Sequence, residues 1–307
     1  MGPPRHGVLV VDKPAGPTSH DIVDRVRRAL GERRVGHTGT LDPFATGVLV
    51  VCVGKATRLA RFLAEGEKVY RATVRLGFAT TTDDLMGAPL SAPCPVKVDR
   101  AALDAAVEAL TGNLNQVPPA YSAKRVLGRR LYELAREGAV VARPPALVRV
   151  SALEVVAVRD DEIDVLVRCS PGTYVRALAR DLGESLGVGG HLVSLRRLVS
   201  GGFTPEDAVP GDVLGADAAE HLKPLAALLL DLPAARLSAA GLESVRHGRD
   251  VTKTELTTQT PGEGSPAPWW RLLGPDGDLV GLAVPRLPKE GPAFWSTLLL
   301  HPEIVLA

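Results

Sequence analysis

Gly36-His37-Thr38-Gly39-Thr40-Leu41-Asp42-Pro43-Phe44-Ala45-Thr46-Gly47 runs directly into Val48-Leu49-Val50-Val51-Cys52-Val53. The second half is an unbroken apolar run of strand length, which predicts a buried strand. The first half predicts a short loop loosened by three glycines, with one carboxylate, Asp42, fixed within it. Pro43 restricts the conformations open to Asp42 and removes a backbone donor beside it. A carboxylate on a stiff loop at the lip of a sheet is a common placement for a reacting group. A solvated turn with a capping aspartate carries the same local signature, so the choice falls to the rest of the chain.

Upstream, residues 8–11 predict a strand ended by Asp12-Lys13-Pro14. Thr18-Ser19-His20-Asp21 has the pattern of a capping box. Ile22, Val23, Val26 and Leu30 follow at helical spacing, and Gly31 can close that helix. Downstream, residues 70–76 alternate with period two: Tyr70, Ala72, Val74 and Leu76 on one face, Arg71, Thr73 and Arg75 on the other. Asp99 predicts the cap of a helix with Leu103, Val107 and Leu110 on one side, closed near Gly112. Residues 116–122 form a Pro-punctuated loop, and residues 129–136 predict a short helix. Strands are predicted over 147–158 and 163–169 with Asp160-Asp161 at the turn. Pro171-Gly172 suits a type II turn, and Val175, Leu178, Leu182 and Leu186 mark a helix that stops at Gly187. Strands and helices mix without a strict βαβ repeat. The predicted class is α+β, with a mixed, largely antiparallel central sheet flanked by helices.

The chain's 307 residues leave room for one large domain and a small one. All three tryptophans, Trp269, Trp270 and Trp295, lie late, which points to a separate C-terminal module. Residues 222–236 read as a connection, so the expected division is 1–230 and 231–307. Beyond it come a short helical segment at 242–245 and a polar, Pro-rich loop over 252–268. Residues 270–273 and 279–284 flank Gly274-Pro275-Asp276-Gly277, a hairpin signal. Last strands at 295–300 and 304–306 would complete a small β-barrel.

The formal net charge is +1, but basic pairs recur at Arg27-Arg28, Arg33-Arg34, Lys124-Arg125, Arg129-Arg130 and Arg196-Arg197. A local basic face binds phosphates even on a neutral chain. Cys52, Cys94 and Cys169 are few, odd in number and far apart, which indicates neither a disulfide framework nor a zinc site. No signal-peptide pattern opens the sequence and no apolar stretch approaches the length of a membrane span. The expectation is a reduced, cytoplasmic compartment with no membrane partner.

Several of these loops together resemble one family. Gly7-Val8-Leu9-Val10-Val11-Asp12-Lys13-Pro14 and the Asp42 segment resemble the opening of TruB-type tRNA pseudouridine synthases. Four more blocks fit in order and spacing, over roughly residues 7–205: Lys68-Val69-Tyr70-Arg71-Ala72, Gln116-Val117-Pro118-Pro119-Ala120-Tyr121-Ser122-Ala123, Gly172-Thr173-Tyr174-Val175-Arg176, and Gly190-His191-Leu192-Val193-Ser194-Leu195-Arg196-Arg197-Leu198. The resemblance implies the pseudouridine synthase fold, and conversion of uridine 55 in the T arm of tRNA to pseudouridine. It makes Asp42 the essential carboxylate, with Tyr70 against the target base and Arg176 paired with Asp42. His37, Tyr174 and Leu195 would hold the flipped nucleotide, and Lys13 is a candidate phosphate contact. More loosely, the C-terminal region resembles a PUA-like RNA-binding module that would touch the acceptor-stem side of tRNA. No obligate protein partner is expected. Two departures stand out. The family often has Thr-Asp-Thr after the Tyr70 strand, where this chain has Thr80-Thr81-Thr82 followed by Asp83-Asp84. The basic residue of the tyrosine-serine-alanine block falls at Arg125, with an extra Lys124 before it.

The chemistry fits those residue types. Isomerisation breaks the N1–C1′ bond, turns the base and joins C5 to C1′, with no net redox change and no group supplied from outside, so neither cofactor nor metal is expected. A carboxylate can act as nucleophile, or stabilise or deprotonate an electron-poor sugar centre; each role requires it ionised at the start. A neighbouring guanidinium favours the ionised form and fixes its direction. The base must leave its stack to react, and a tyrosine ring recovers part of that cost by stacking. The C5 proton must also leave, and the Tyr70 hydroxyl, directly or through water, is a candidate acceptor. Two other functions compete. Gly54-Lys55-Ala56-Thr57 suggests a phosphate loop, but Leu49 stands where its first glycine belongs and no hydroxyl follows the lysine directly. A non-catalytic RNA-binding module would use the same basic pairs, but needs no carboxylate facing RNA phosphates.

Overall fold

The computed structural model describes residues 5–122, 125–126, 129–130, 142–259, 268–286 and 299–307. The chain runs β1 (Gly7–Lys13), α1 (Ser19–Leu30), β2 (Val35–His37), β3 (Thr46–Val53), α2 (Ala60–Ala64), β4 (Lys68–Leu76), α3 (Arg100–Ala109), β5 (Gly112–Gln116), β6 (Arg125–Val126), β7 (Arg129–Arg130), β8 (Ala146–Arg159), β9 (Glu162–Cys169), α4 (Val175–Ser185), β10 (Gly190–Ser200), β11 (Val209–Pro210), β12 (Ala234–Leu237), α5 (Ala239–Arg246), β13 (Leu256–Gln259), β14 (Trp270–Leu273), β15 (Leu279–Arg286) and β16 (Leu299–Val305). The main sheet has the order β11-β1-β3-β10-β4-β9-β8-β5, with β2 added on β3. Only β1/β11 and β3/β10 pair in parallel among its described strands. The mixed α+β sheet expected from the sequence is therefore present.

The unbroken apolar run of β3 reflects burial on both faces. Leu49, Val51 and Val53 join Leu9 and Val11 of β1, Ile22 and Val26 of α1, and Leu178 and Leu182 of α4 in one core. Val48, Val50 and Cys52, with Val8 and Val10, line a second core closed by Leu59, Leu63, Leu279, Leu282, Ile304 and Leu306. The first face carries the helices that shape the site, and the second seats the C-terminal sheet.

Local signals hold where they are local. The Thr18 hydroxyl accepts the Asp21 amide at 3.1 Å while Asp21 Oδ2 accepts the Thr18 amide at 2.7 Å, and Gly31 at φ 63° ends α1. Tyr70, Ala72, Val74 and Leu76 are buried along β4. Asp99 caps α3 through the amides of Ala101 and Ala102. The helix α4 packs on β10 through glycines: a Cβ on Gly183 would collide with the Gly189–Gly190 backbone. That contact fixes the height at which the first turn of α4, with Arg176, lies over the sheet.

Other expectations change. Arg129–Arg130 is a strand paired with Arg125–Val126, not the start of a helix; residues 131–136 lie outside the described residues. The polar stretch after Thr252 contains β13 (Leu256–Gln259). The two last strands are one, β16, and Trp295 lies outside the described residues. The C-terminal sheet has the order β13-β12-β14-β15-β16. Among the described residues it is open at β13 and β16 and does not form the closed barrel expected. Trp270 is in its core, whereas Trp269 packs edge-on against Phe62 of α2 at 4.8 Å. No helix among the described residues is long and apolar enough to cross a membrane.

Candidate active site

Asp42 lies between two residues whose backbone is held from outside the loop. Before it, both backbone groups of Leu41 meet the buried Ser19 hydroxyl, which accepts from Leu41 N at 2.9 Å and donates to Leu41 O at 3.0 Å. After it, the Pro43 carbonyl accepts from Lys13 Nζ at 3.1 Å and from the Gly16 amide at 2.8 Å. The glycines do less loosening than their number suggests. Gly47 has φ +101°, and its missing side chain admits the Arg197 backbone of β10, which a Cβ would overlap.

Lys13 corrects an expectation. Its side chain is fully buried, and Nζ donates to Pro14 O at 2.8 Å, Pro17 O at 2.8 Å and Pro43 O at 3.1 Å. All three ammonium protons are spent on carbonyls, so Lys13 has none left for a phosphate. Burial lowers its pKa from 10.5 to about 8, with the Asp42 charge opposing. Lys13 is a strut under the Asp42 loop. Lys13→Met removes the shared donor and leaves three proline carbonyls without it, at about 1–3 kcal/mol of stability. The expected result is a melting temperature lower by several degrees, measured by calorimetry.

Across the loop, Arg176 in the first turn of α4 is 4% exposed. Its Nη2 donates to Asp42 Oδ1 at 3.0 Å and to Tyr121 O at 2.9 Å, and Nη1 donates to Thr82 O at 2.9 Å. Nε lies 2.9 Å from Asp42 Oδ2 but is not aligned for a hydrogen bond, so that contact is electrostatic. The Asp42 side chain keeps 29% exposure, which leaves one side of the carboxylate open. Burial pushes its pKa up; Arg176 opposes that shift, and Asp84 adds to it. One guanidinium thus serves two acids, because Asp84 Oδ2 lies 3.4 Å from Arg176 Nη1. Asp84 is itself fixed: Oδ1 accepts the Thr82 hydroxyl at 2.5 Å and the Met86 amide at 3.0 Å. Next to it Asp83, at φ 59°, pairs with Arg180 Nη1 at 3.0 Å. Reading by motif missed both acids. Their signal was two adjacent carboxylates in a run otherwise free of charge.

Tyr70 is buried on β4, near enough to Asp42 for the carboxylate charge to act on its hydroxyl; burial pushes its pKa up. Leu195 of β10 is buried opposite Ala72, on the strand beside Tyr70. Tyr174 occupies the cap position of α4, and the Gln116 side chain brackets its backbone, accepting from Tyr174 N at 2.8 Å and donating to Tyr174 O at 3.1 Å. His37 ends β2 and meets His20 edge-on at 5.6 Å. Burial and the neighbouring His20 and Arg197 lower its pKa to about 4, so it is neutral near pH 7. Asp42 from the loop before β3, Tyr70 from β4, and Arg176 with the Tyr174 backbone from the start of α4 therefore come together at the site. No cluster of three or more His, Cys, Asp or Glu side chains among the described residues is placed to hold a metal ion.

Comparison with known proteins agrees over most of the length. Residues 27–175 match the family model described as TruB family pseudouridylate synthase, N-terminal domain, and residues 176–235 match the tRNA pseudouridylate synthase B C-terminal domain. The join between the two falls at the start of α4, inside the unit built on the main sheet. The tRNA pseudouridine synthase B of Thermobifida fusca is 47% identical over 295 residues, covering 93% of this chain and 97% of that protein. The protein of the same name from Nocardia farcinica is 48% identical, covering 95% and 93%. Among solved structures, a Cbf5–Nop10–Gar1 complex has a chain that superposes with a TM-score of 0.72 at 24% identity, covering 98% of this chain and 85% of that one. An H/ACA ribonucleoprotein bound to a substrate RNA containing 2′-deoxyuridine gives a TM-score of 0.71 at 22% identity, covering 98% and 85%. These two likenesses are of fold.

Proposed function

The chain belongs to the TruB family of tRNA pseudouridine synthases, and on that premise we propose that it isomerises uridine 55 in the T arm of tRNA, with Asp42 as the reacting carboxylate. The observation that carries the reading is the Asp42–Arg176 pair: a half-open carboxylate on a braced loop, held by a buried guanidinium. The uridine flips out of the T loop and its sugar comes over Asp42. The carboxylate faces C1′ and C2′ as the N1–C1′ bond breaks, either bonding to the sugar or taking a proton from it. Arg176 keeps one carboxylate oxygen directed and the charge available against the burial that opposes it. Water is excluded by the base itself once Tyr70 and Leu195 line its two sides.

Tyr70 then serves twice in this reading. Its ring supports the base, and its hydroxyl, directly or through water, accepts the C5 proton after C5 and C1′ join. Neutral His37 fills the space the flipped nucleotide leaves in the RNA, a role suited to an uncharged ring. Tyr174, set by Gln116, contacts the target nucleotide. The C-terminal sheet, from about residue 231, contacts the acceptor-stem side. The assay is direct: incubate the full chain with unmodified tRNA and map pseudouridine in the T loop. Pseudouridine at that position supports the reading. Tight binding with no product, the same for the unaltered chain and Asp42→Ala, would leave an RNA-binding module instead.

A further inference from the structure

Arg197 is a buried guanidinium that the reaction scheme above does not use. It is 2% exposed, in the middle of β10. Its neighbour Arg196 points the other way and makes a paired contact with Asp12 at 3.0 and 2.7 Å. Arg197 has no carboxylate within 4 Å among the described residues. A buried cation without a counter-ion is costly, so its contacts need a reason. Nε donates to Val48 O at 2.7 Å and Nη2 to Gly39 O at 3.1 Å. Those carbonyls lie on either side of Asp42, one before it in the loop and one on β3 after it. On the neighbouring strand Arg197 is in direct register with Tyr70, and its charge acts on the Tyr70 hydroxyl. The Arg197 backbone also fills the space opened by Gly47. One side chain thus ties the loop carrying the carboxylate to the tyrosine on the next strand but one.

We propose that Arg197 is a positioning residue for the last proton transfer, holding the Tyr70 hydroxyl toward C5 of the rejoined base. The proposal rests on the functional reading above. Once C5 and C1′ are joined, C5 is tetrahedral and carries one proton, and a double bond lies between N1 and C6. The C5–H bond breaks and its electron pair forms C5=C6. The N1=C6 pair takes a proton at N1, so one proton moves from C5 to N1 with nothing added. A neutral phenol is a weak acceptor for the C5 proton. The Arg197 charge opposes the burial that holds the phenol neutral, and a fixed hydroxyl is a better acceptor than a mobile one. The charged and titratable groups facing it are Tyr70 and Lys68 on β4, Lys13 on β1 and His37 on β2. Burial and the Asp42 charge hold the Tyr70 hydroxyl in its neutral form, and Arg197 opposes them.

The test compares the unaltered chain, Arg197→Met, Tyr70→Phe and the double variant on tRNA carrying hydrogen or deuterium at C5 of the target uridine. Arg197→Lys stands in if the methionine variant does not fold; it keeps the charge but lacks the planar fork that reaches Gly39 and Val48 together. The expected result is a loss of roughly 10²-fold in turnover at saturating tRNA, with KM little changed and a C5 deuterium effect larger than in the unaltered chain. The double variant should be no slower than Tyr70→Phe alone. Independent losses that multiply in the double variant, or a deuterium effect unchanged by either substitution at 197, would overturn the assignment while leaving the functional reading intact. No pseudouridine from the unaltered chain would overturn the functional reading instead.

Discussion

Asp42→Asn should lower pseudouridine formation by roughly 10⁴-fold or more, with tRNA affinity close to that of the unaltered chain. Asparagine keeps the shape and one acceptor oxygen, so Arg176 retains a partner at Oδ1 and the loop stays braced by Ser19 and Lys13. What disappears is the negative charge that has to meet the sugar. Single-turnover rates and filter binding on the same samples separate the two effects, and a variant within tenfold of normal would remove Asp42 from the chemistry. The pH profile gives an independent check. Burial outweighs the opposing pull of Arg176 and raises the Asp42 pKa. The reactive form is the deprotonated one, so activity should rise with pH along a limb centred above the ordinary aspartate value of about 3.9. Asp84→Asn removes a neighbouring charge that pushes the pKa the same way, so it should move that limb to lower pH.

Arg176→Met should damage both folding and reaction. It strips the partner from Asp42 and from Asp84, and it frees the carbonyls of Thr82 and Tyr121. Removing one side of a buried ionic arrangement costs about 3–5 kcal/mol, because the acids left behind are desolvated without compensation. Denaturant unfolding should show that loss at pH 7. It should shrink at acid pH, where the stranded carboxylates take up protons and no longer need a counter-charge. Arg176→Lys keeps one positive charge but cannot reach Asp42, Thr82 and Tyr121 at once, so it should recover part of the stability and little of the turnover. Equal recovery of both would mean that charge alone, without direction, is what the site requires.

The parts of this structure that could be read from the sequence are those whose causes are local. The capping of α1 by Thr18 and Asp21 is complete within four residues. The run 48–53 announces a doubly covered strand because every side chain in it is apolar. Asp42 stands out because Pro43 and the nearby glycines frame it. What stayed hidden depends on partners distant in the chain. The strand β10 lies at the centre of the main sheet, yet His191, Arg196 and Arg197 disguise it as surface; their partners are Phe78, Asp12, Val48 and Gly39. Lys13 looked free because nothing beside it reveals that Pro17 and Pro43 will turn their carbonyls toward it. Asp84 looked like a departure from a familiar pattern, and only the fold brings it to Arg176. The strand β13 was missed because Leu-Thr-Thr-Gln carries little apolar signal.

The double covering of β1 and β3 makes these two strands a shared partition between the reaction chamber and the far end of the chain. Cutting away the tail would strip Leu279, Leu282, Ile304 and Leu306 from the core shared by Val8, Val10, Val48, Val50 and Cys52. Rewriting those five as polar to suit would fall on the strands that hold Lys13 and offer Arg197 the Val48 carbonyl. Shortening this protein from its last residue inward therefore reaches the strands that carry its site.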